Sequence, residues 1–295
     1  MQASVLVNAY IRAPAMIRQA ERVAEELRAR GVRVQIEKNG GFPCAVRGGE
    51  LSLAHRPDFV VYLDKDKYLS RMLEAQGVRL FNRAAAVEAC DDKMLTCIAL
   101  AGRGLRLPDT LPAPLCYYAD AAVGEEYVRA VGERLGYPLV AKQSFGSWGE
   151  GVRLCRNAAE LRAAAEAFKL TPHLYQKFVG KPGEDWRILV VGGRAIACMR
   201  RKNARDFRSN VELGGHGEAA EPPAGFAAAA EKCAAALGLD YCGVDLLDEG
   251  GVPYVCEVNS NAMFNEAERV TGVNVAGAFA EHMLRSMEKE GRARP

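Results

Sequence analysis

Two apolar runs, 241–247 and 252–258, stand on either side of Glu249-Gly250-Gly251, and a segment patterned this way has little choice but to fold as a β-hairpin. A two-stranded ribbon is not stable alone, so it has to be part of a larger sheet. Three polar side chains interrupt it: Asp245, Glu257 and Asn259. Residues i and i+2 of a strand share a face, so Glu257 and Asn259 project together. With a three-residue loop at 249–251, Asp245 falls opposite Val255, on the Glu257 face and one diagonal away. Two carboxylates and one amide then converge. Three oxygen donors with open positions suit Mg²⁺, which takes few protein ligands and completes its octahedron with water and phosphate oxygens. A solvated strand face would not break an otherwise apolar run in this way, so these three residues are the candidate metal ligands.

The start of the chain follows a different pattern. A strand over 4–7, an amphipathic helix over 14–30 stopped by Gly31, and strands over 32–36, 58–63 and 78–81 alternate as in a parallel α/β sheet. Crevices at the ends of such strands commonly take ligands, and Asn8, Asp64, Lys65 and Asp66 lie there. Asp91-Asp92 caps a helix running to 101, and 106–114, with three prolines, reads as an extended linker. Beyond it, strands over 137–142 and 152–155 flank a glycine-rich tip. Strand signals at 175–179, 186–191 and 195–200 are antiparallel, and helices are expected over 223–237 and 275–289. The expected class is mixed α/β (α+β), in three units: an N-terminal parallel unit (1–87), a central region (88–178) and a C-terminal unit (179–295) that contains the hairpin.

Composition narrows the function classes. At 295 residues, 49% hydrophobic and 26% charged, the chain supports several cores, which excludes disorder and small disulfide scaffolds. Thirty-nine basic against 37 acidic residues leave a net charge of +2, so no global field draws nucleic acid or an acidic membrane. Any anionic partner has to be held locally. The apolar stretches fall far short of the roughly 20 residues that span a bilayer, and Met1-Gln2-Ala3-Ser4 opens no signal peptide, so a cytoplasmic location is expected. Nine cysteines without a CxxC pair read as reduced core residues, and four dispersed histidines lack metal-ligand spacing.

Two further segments can hold anions. Lys142 precedes Gly146-Ser147-Trp148-Gly149-Glu150-Gly151, whose backbone amides can approach phosphate closely where no Cβ intervenes. This is neither a Walker A loop nor a dinucleotide fingerprint, because the tip joins two strands. Arg200-Arg201-Lys202 and Asp206-Phe207-Arg208-Ser209-Asn210 supply guanidiniums that can grip carboxylate or phosphate bidentately.

In order and spacing these segments resemble the ATP-grasp superfamily, specifically the RimK-like carboxylate-amine ligases, which attach glutamate or other amino acids to an acceptor. The likeness rests on Asp92-Lys93 opening a helix, Leu139-Val140-Ala141-Lys142 before the glycine loop, and 183–192. It also rests on Arg200-Arg201 with 206–210, on Glu257-Val258-Asn259 and on 271–277, and it extends from about Asn82 to His282. The resemblance implies an ATP-grasp fold behind an N-terminal pre-ATP-grasp domain. It implies ATP phosphates on Lys93 and Lys142 under a lid containing Gly146, Ser147, Trp148, Gly149 and Gly151. Adenine would lie against the backbone of Gln176-Lys177-Phe178-Val179, with Asp185 near the ribose. Two Mg²⁺ ions, or Mn²⁺ in their place, would sit on Asp245, Glu257 and Asn259, while Arg200 and Asn210 attend the transferred phosphoryl group and the tetrahedral intermediate. Arg187 and Arg208 are equally consistent with substrate contact or with salt bridges between strands, and Arg201 carries no assigned role.

The chain departs from the family pattern twice. Gln176-Lys177 stands where Lys/Gln-Glu is frequent, which leaves backbone recognition of adenine intact. Ser260-Asn261-Ala262-Met263 stands where Ser-Pro-Gly is frequent, which reshapes the loop beside the amine and leaves the added amino acid unassigned. The implied reaction joins a small-molecule or peptide carboxylate to an amine through an acyl phosphate, in a homo-oligomer. A kinase acting on a hydroxyl and a nucleotide-binding regulator without turnover are the alternatives.

Overall fold

The structure, a computed structural model, describes residues 1–293. Its first sheet is parallel, with strands in the order Arg33–Lys38, Gln2–Val7, Phe59–Leu63, Arg79–Phe81. Phe59–Leu63 is buried at every position, as a central parallel strand covered on both faces must be. Helix Pro14–Ala29 starts with proline in its first turn and turns Gln19, Ala20, Val23, Ala24 and Leu27 inward. A hairpin, Cys44–Arg47 with Glu50–Leu53, that the sequence pattern did not announce lies beside this sheet and helps bury Tyr62 and Leu73.

The central sheet is antiparallel, in the order Thr110–Pro112, His173–Lys177, Leu139–Gln143, Val152–Cys155. The proline-rich stretch read as a linker thus supplies an edge strand, where proline's missing N–H is tolerated. Helices Glu125–Leu135 and Ala158–Phe168 cover one face of this sheet. Helices Ala84–Asp91 and Lys93–Leu100 do not join that core. They bury Ala86, Cys90 and Leu100 against the C-terminal sheet, so the unit expected to begin at 88 gives its first helix to its neighbour.

The C-terminal sheet has five antiparallel strands: His216–Ala219, Arg194–Lys202, Glu184–Val191, Tyr241–Glu249 and Val252–Asn259. The first of these, His216–Ala219, is an edge strand. One face is apolar over most of its length and packs on helix Phe226–Leu237, with the Glu184–Arg200 pair at one end. The opposite face changes character along its length. At one end Leu189, Val191 and Tyr241 share a core with Val5, Phe59 and Phe279, joining the N-terminal sheet to this one through helix Val275–Ala293. At the other end the same face carries Asp185, Arg187, Arg201 and Asp245.

Asn82 fixes the two units to each other. Fully buried, it donates to the carbonyls of Tyr241 and Ser260, both at 2.7 Å, and accepts from the N–H groups of Asp240 (2.7 Å) and Tyr241 (3.0 Å). Four satisfied hydrogen bonds on one buried amide hold the end of strand Arg79–Phe81 against the open end of the hairpin, at Tyr241 and Ser260.

The hairpin closes through two residues, not three. Gly250 (φ 63°) and Gly251 (φ 84°) both occupy the left-handed region, as a tight turn matched to strand twist requires. A bulge then places Asp245 directly opposite Glu257 and Leu246 opposite Val255, with Cys256 as the extra residue. The expected shared face is retained, and the two carboxylates are closer partners than the diagonal register would make them. All nine cysteines are free thiols, five of them buried. Among the described residues no helix is long and apolar enough to cross a membrane.

Candidate active site

The charged end of the sheet is a closed network of two acids and two guanidiniums. Arg187 grips Asp245 bidentately, Nε to Oδ1 and Nη2 to Oδ2, each at 2.7 Å. Arg201 grips Asp185 with Nε (2.7 Å) and Nη2, and the same Nη2 lies 2.9 Å from Asp245 Oδ2. Asp245 is 3% exposed and Arg201 2%. Burial opposes the Asp245 charge, yet Arg187 and Arg201 outweigh it and hold the carboxyl below its ordinary range. Burial likewise opposes the Arg201 charge, and Asp185 and Asp245 more than restore it, raising its pKa.

Arg200 is not part of this network. Its side chain lies on the other face of the strand, where it pairs with Glu184 at 2.7 Å and lies over the Trp186 ring. The reason is register: Asp185 is paired with Arg201 and Trp186 with Arg200, so alternation sends the two arginines to opposite faces. Arg201 lines the cleft, whereas Arg200, expected to attend the transferred phosphoryl group, does not. Asp185, expected near a ribose, lines the cleft with its carboxylate committed to Arg201.

Between this sheet and the central one lies a cleft lined by Lys93, Lys142, Asp185, Arg201, Asp245 and the 176–179 strand end. Lys93 follows Asp92, which caps its helix by accepting from the N–H groups of Met94 and Leu95. That cap holds the Lys93 ammonium 2.9 Å from the Gly146 carbonyl and 3.6 Å from Glu257 Oε1. Lys142 Nζ lies 3.8 Å from Cys256 Sγ, and burial raises the pKa of that thiol despite the ammonium. The Gln176 side chain shares the cleft face with its partner Val140, and its Nε2 donates to Thr110 Oγ1 at 3.0 Å.

The glycine loop is folded down over the cleft. Arg208 donates to the Gly149 carbonyl at 2.6 Å, and Lys65 of the N-terminal unit donates to Ser147 Oγ at 3.1 Å. Gly146, Ser147 and Gly149 line the cleft, whereas Gly151 packs against the Gln143 side chain. Trp148, expected with the nucleotide, lines a second cavity between the N-terminal strand ends and the hairpin. That cavity includes Asn8, Asp64 and Lys65 but not Asp66, which caps helix Lys67–Ala75.

The expected metal ligands lie on the partition between the two cavities: Asp245 lines the first, Glu257 both and Asn259 the second. Among the described residues no three His, Cys, Asp or Glu side chains gather, so an amide has to complete the set. The donors fit a hard divalent cation. A carboxylate offers about four lone-pair sites, and the guanidiniums use three on Asp245. Among the described residues Glu257 is paired only with the Lys93 ammonium, at 3.6 Å, which leaves lone pairs for a cation, and Asn259 would ligate through Oδ1 because its Nδ2 is a donor. Asn210 lines both cavities as well.

Comparison with known proteins places this geometry. The model of the RimK-like ATP-grasp domain matches residues 90–283. The chain belongs to the RimK-like ATP-grasp family. Over 261 residues it is 33% identical to beta-citrylglutamate synthase B of Danio rerio, covering 86% of this chain and 61% of the relative. Over 222 residues it is 34% identical to a probable alpha-L-glutamate ligase of Maridesulfovibrio salexigens, covering 74% and 71%. The chain thus spans about three fifths of the length of some of these relatives. In fold it resembles D-alanine–D-alanine ligase from Bacillus anthracis, with a TM-score of 0.75 at 18% identity over 98% of this chain and 99% of that one.

Two residues that line these cavities were not singled out by their sequence context. Arg201 was named only as the neighbour of Arg200, and Gln19 sat unremarked in an amphipathic helix. Gln19 had one signal: a polar residue on the stripe of that helix that faces inward.

Proposed function

We propose that the protein is an ATP-dependent carboxylate-amine ligase that forms an amide bond through an acyl phosphate. The carrying observation is the partition: the oxygen donors of the hairpin stand between a cleft lined by lysines and a second cavity open to another substrate. ATP fits the first cavity, with Lys93, Lys142 and the loop amides against its phosphates and the 176–179 backbone against adenine. Asp245, Glu257 and Asn259 would hold Mg²⁺, two ions in this reading and Mn²⁺ as a substitute. Bound there, the cations supply charge neutralisation along the triphosphate.

The protein's own groups do the rest. Arg187 and Asn210 both line the second cavity, where a carboxylate oxygen would attack the γ-phosphoryl group and an amine would then attack the acyl carbon. Arg187 keeps N–H donors beyond the two committed to Asp245, so it can face the tetrahedral oxyanion without leaving its ion pair. Arg201 fixes Asp185 and Asp245 and so holds the donor geometry in place. The glycine loop, held by Arg208 and Lys65, excludes water from an intermediate that hydrolyses readily.

The relatives named for glutamate products support an amino acid as the amine. The reading includes a homo-oligomer in the cytoplasm, in keeping with nine free thiols. Incubation with ATP, Mg²⁺, a panel of carboxylates and hydroxylamine tests it. A hydroxamate is the expected product, and ADP formation with no hydroxamate on any carboxylate would point to a hydroxyl acceptor instead.

A further inference from the structure

The glycine loop divides its residues between the two cavities. Gly146, Gly149 and Glu150 line the first cleft alone, Ser147 lines both, and Trp148 lines the second cavity alone. The loop that folds over one substrate site therefore turns its indole toward the other. Trp148 sits at φ +60°, in the left-handed region, although glycines that take positive φ without strain stand at 146, 149 and 151. A bulky residue kept in that region costs on the order of 1–3 kcal/mol, and such residues cluster at active sites and ligand clamps.

The indole is without a partner while the backbone beside it is pinned. Trp148 is 42% exposed, and among the described residues no ring stacks on it, no cation lies over it and no acceptor receives its Nε1–H. The other tryptophan, Trp186, packs edge-on against Phe226 at 6.0 Å and carries Arg200 over its ring. On either side of Trp148, Lys65 holds Ser147 Oγ at 3.1 Å and Arg208 holds the Gly149 carbonyl at 2.6 Å. An unpartnered aromatic face fixed on a cavity wall is a contact surface for the occupant of that cavity. Ser147 borders both cavities, so the loop crosses the partition there, and Trp148 is one Cα step of about 3.8 Å beyond it. The substrate that abuts the transferred phosphoryl group at the partition is the carboxylate.

We propose that Trp148 is the lid's contact with the carboxylate substrate: its indole packs on the carbon skeleton of that substrate in the second cavity and positions the carboxylate for attack on the γ-phosphoryl group. The assignment rests on the ligase reading above and deepens it. One loop then closes over the nucleotide and the acceptor together.

The test compares Trp148→Phe, Trp148→Ala and Trp148→Gly with the natural residue in the full chain with Mg²⁺. Hydroxamate formation from ATP and hydroxylamine with citrate, succinate, L-glutamate and a tetrapeptide ending in glutamate identifies a carboxylate that is turned over. For that compound Trp148→Ala should raise the KM about tenfold, and Trp148→Phe, which keeps a ring, about threefold at most. Trp148→Gly relaxes the backbone without supplying a ring, so its KM should rise as it does in Trp148→Ala. Affinity for a non-hydrolysable ATP analogue, titrated without carboxylate, should stay within about twofold in all three variants. An unchanged carboxylate KM in Trp148→Ala, a Trp148→Gly chain that matches the natural one, or a loss of nucleotide affinity as large as the rise in carboxylate KM would each overturn the assignment. ADP formation without hydroxamate from any of these carboxylates would instead remove the ligase reading on which it stands.

Discussion

Arg200 and Arg201 are neighbours in sequence with the same chemistry, and the structure predicts opposite consequences for their loss. Arg201 is buried between Asp185 and Asp245. Replacing it with methionine leaves Asp245 with Arg187 but strips Asp185 of its cation. Breaking a buried pair in this way costs about 3–5 kcal/mol, and because Asp185 borders a cleft the lower value, about 3 kcal/mol, applies. At roughly 2–4 °C per kcal/mol for a chain of this order of size, the melting temperature should fall by about 6–12 °C. Arg200 pairs with Glu184 where both side chains are about one third exposed, so Arg200→Met should cost about 0–1 kcal/mol and at most about 4 °C. Adding Asp185→Asn to Arg201→Met should recover part of the loss, because a neutral amide no longer strands a charge. Calorimetric melting of the four purified chains decides the matter. Equal losses for the two single variants, or a larger loss for Arg200→Met, would refute both the register and the reasoning.

Glu257→Ala should abolish ATP turnover while leaving the fold intact, since the carboxylate's nearest cation is Lys93 at 3.6 Å; normal turnover in the purified variant contradicts the metal assignment. Gly149→Ala should raise the KM for ATP about tenfold, because φ is +76° there and a Cβ would stand 2.9 Å from Leu213 Cδ1 and 3.0 Å from Asn210 Oδ1 in the closed loop; an unchanged KM means the loop does not close this way. Burial pulls the pKa of His173 below the ordinary 6.5 although the Thr171 carbonyl opposes the shift. The unfolded chain therefore binds its proton first, and stability is full above that value and lost as pH falls below it. Urea titrations between about pH 7 and about pH 5 should show a steeper loss for the natural chain than for His173→Gln, and parallel losses would contradict the sign.

What the sequence could and could not convey is set by register. The alternation of helix and strand up to Phe81 and the i, i+2 relation of Glu257 and Asn259 are local, and both are legible without coordinates. The position of Asp245 survived an error in loop length because moving its partner from Val255 to Glu257 is a shift of two residues, which preserves the face. The arginines had no such protection. Counting back from the Gly192-Gly193 turn without interruption would set Arg200 opposite Asp185, but a bulge between Leu189 and Val190 moves the pairing by one and brings Arg201 there. Nothing in the run Arg194–Lys202 marks that bulge. The short helices at 84–91, 125–135 and 158–168 and the hairpin at 44–53 were silent for another reason: they are stabilised by the cores they cover, and their own patterns are weak.

The central claim is that a carboxylate oxygen attacks the γ-phosphoryl group at the partition between the two cavities. It is tested most directly by supplying the chain with ATP, Mg²⁺, an amine and a carboxylate substrate labelled with heavy oxygen, then weighing the released phosphate. Transfer through an acyl phosphate predicts one labelled oxygen in each phosphate formed. Unlabelled phosphate, with the label still in the carboxylate or amide, would contradict the account.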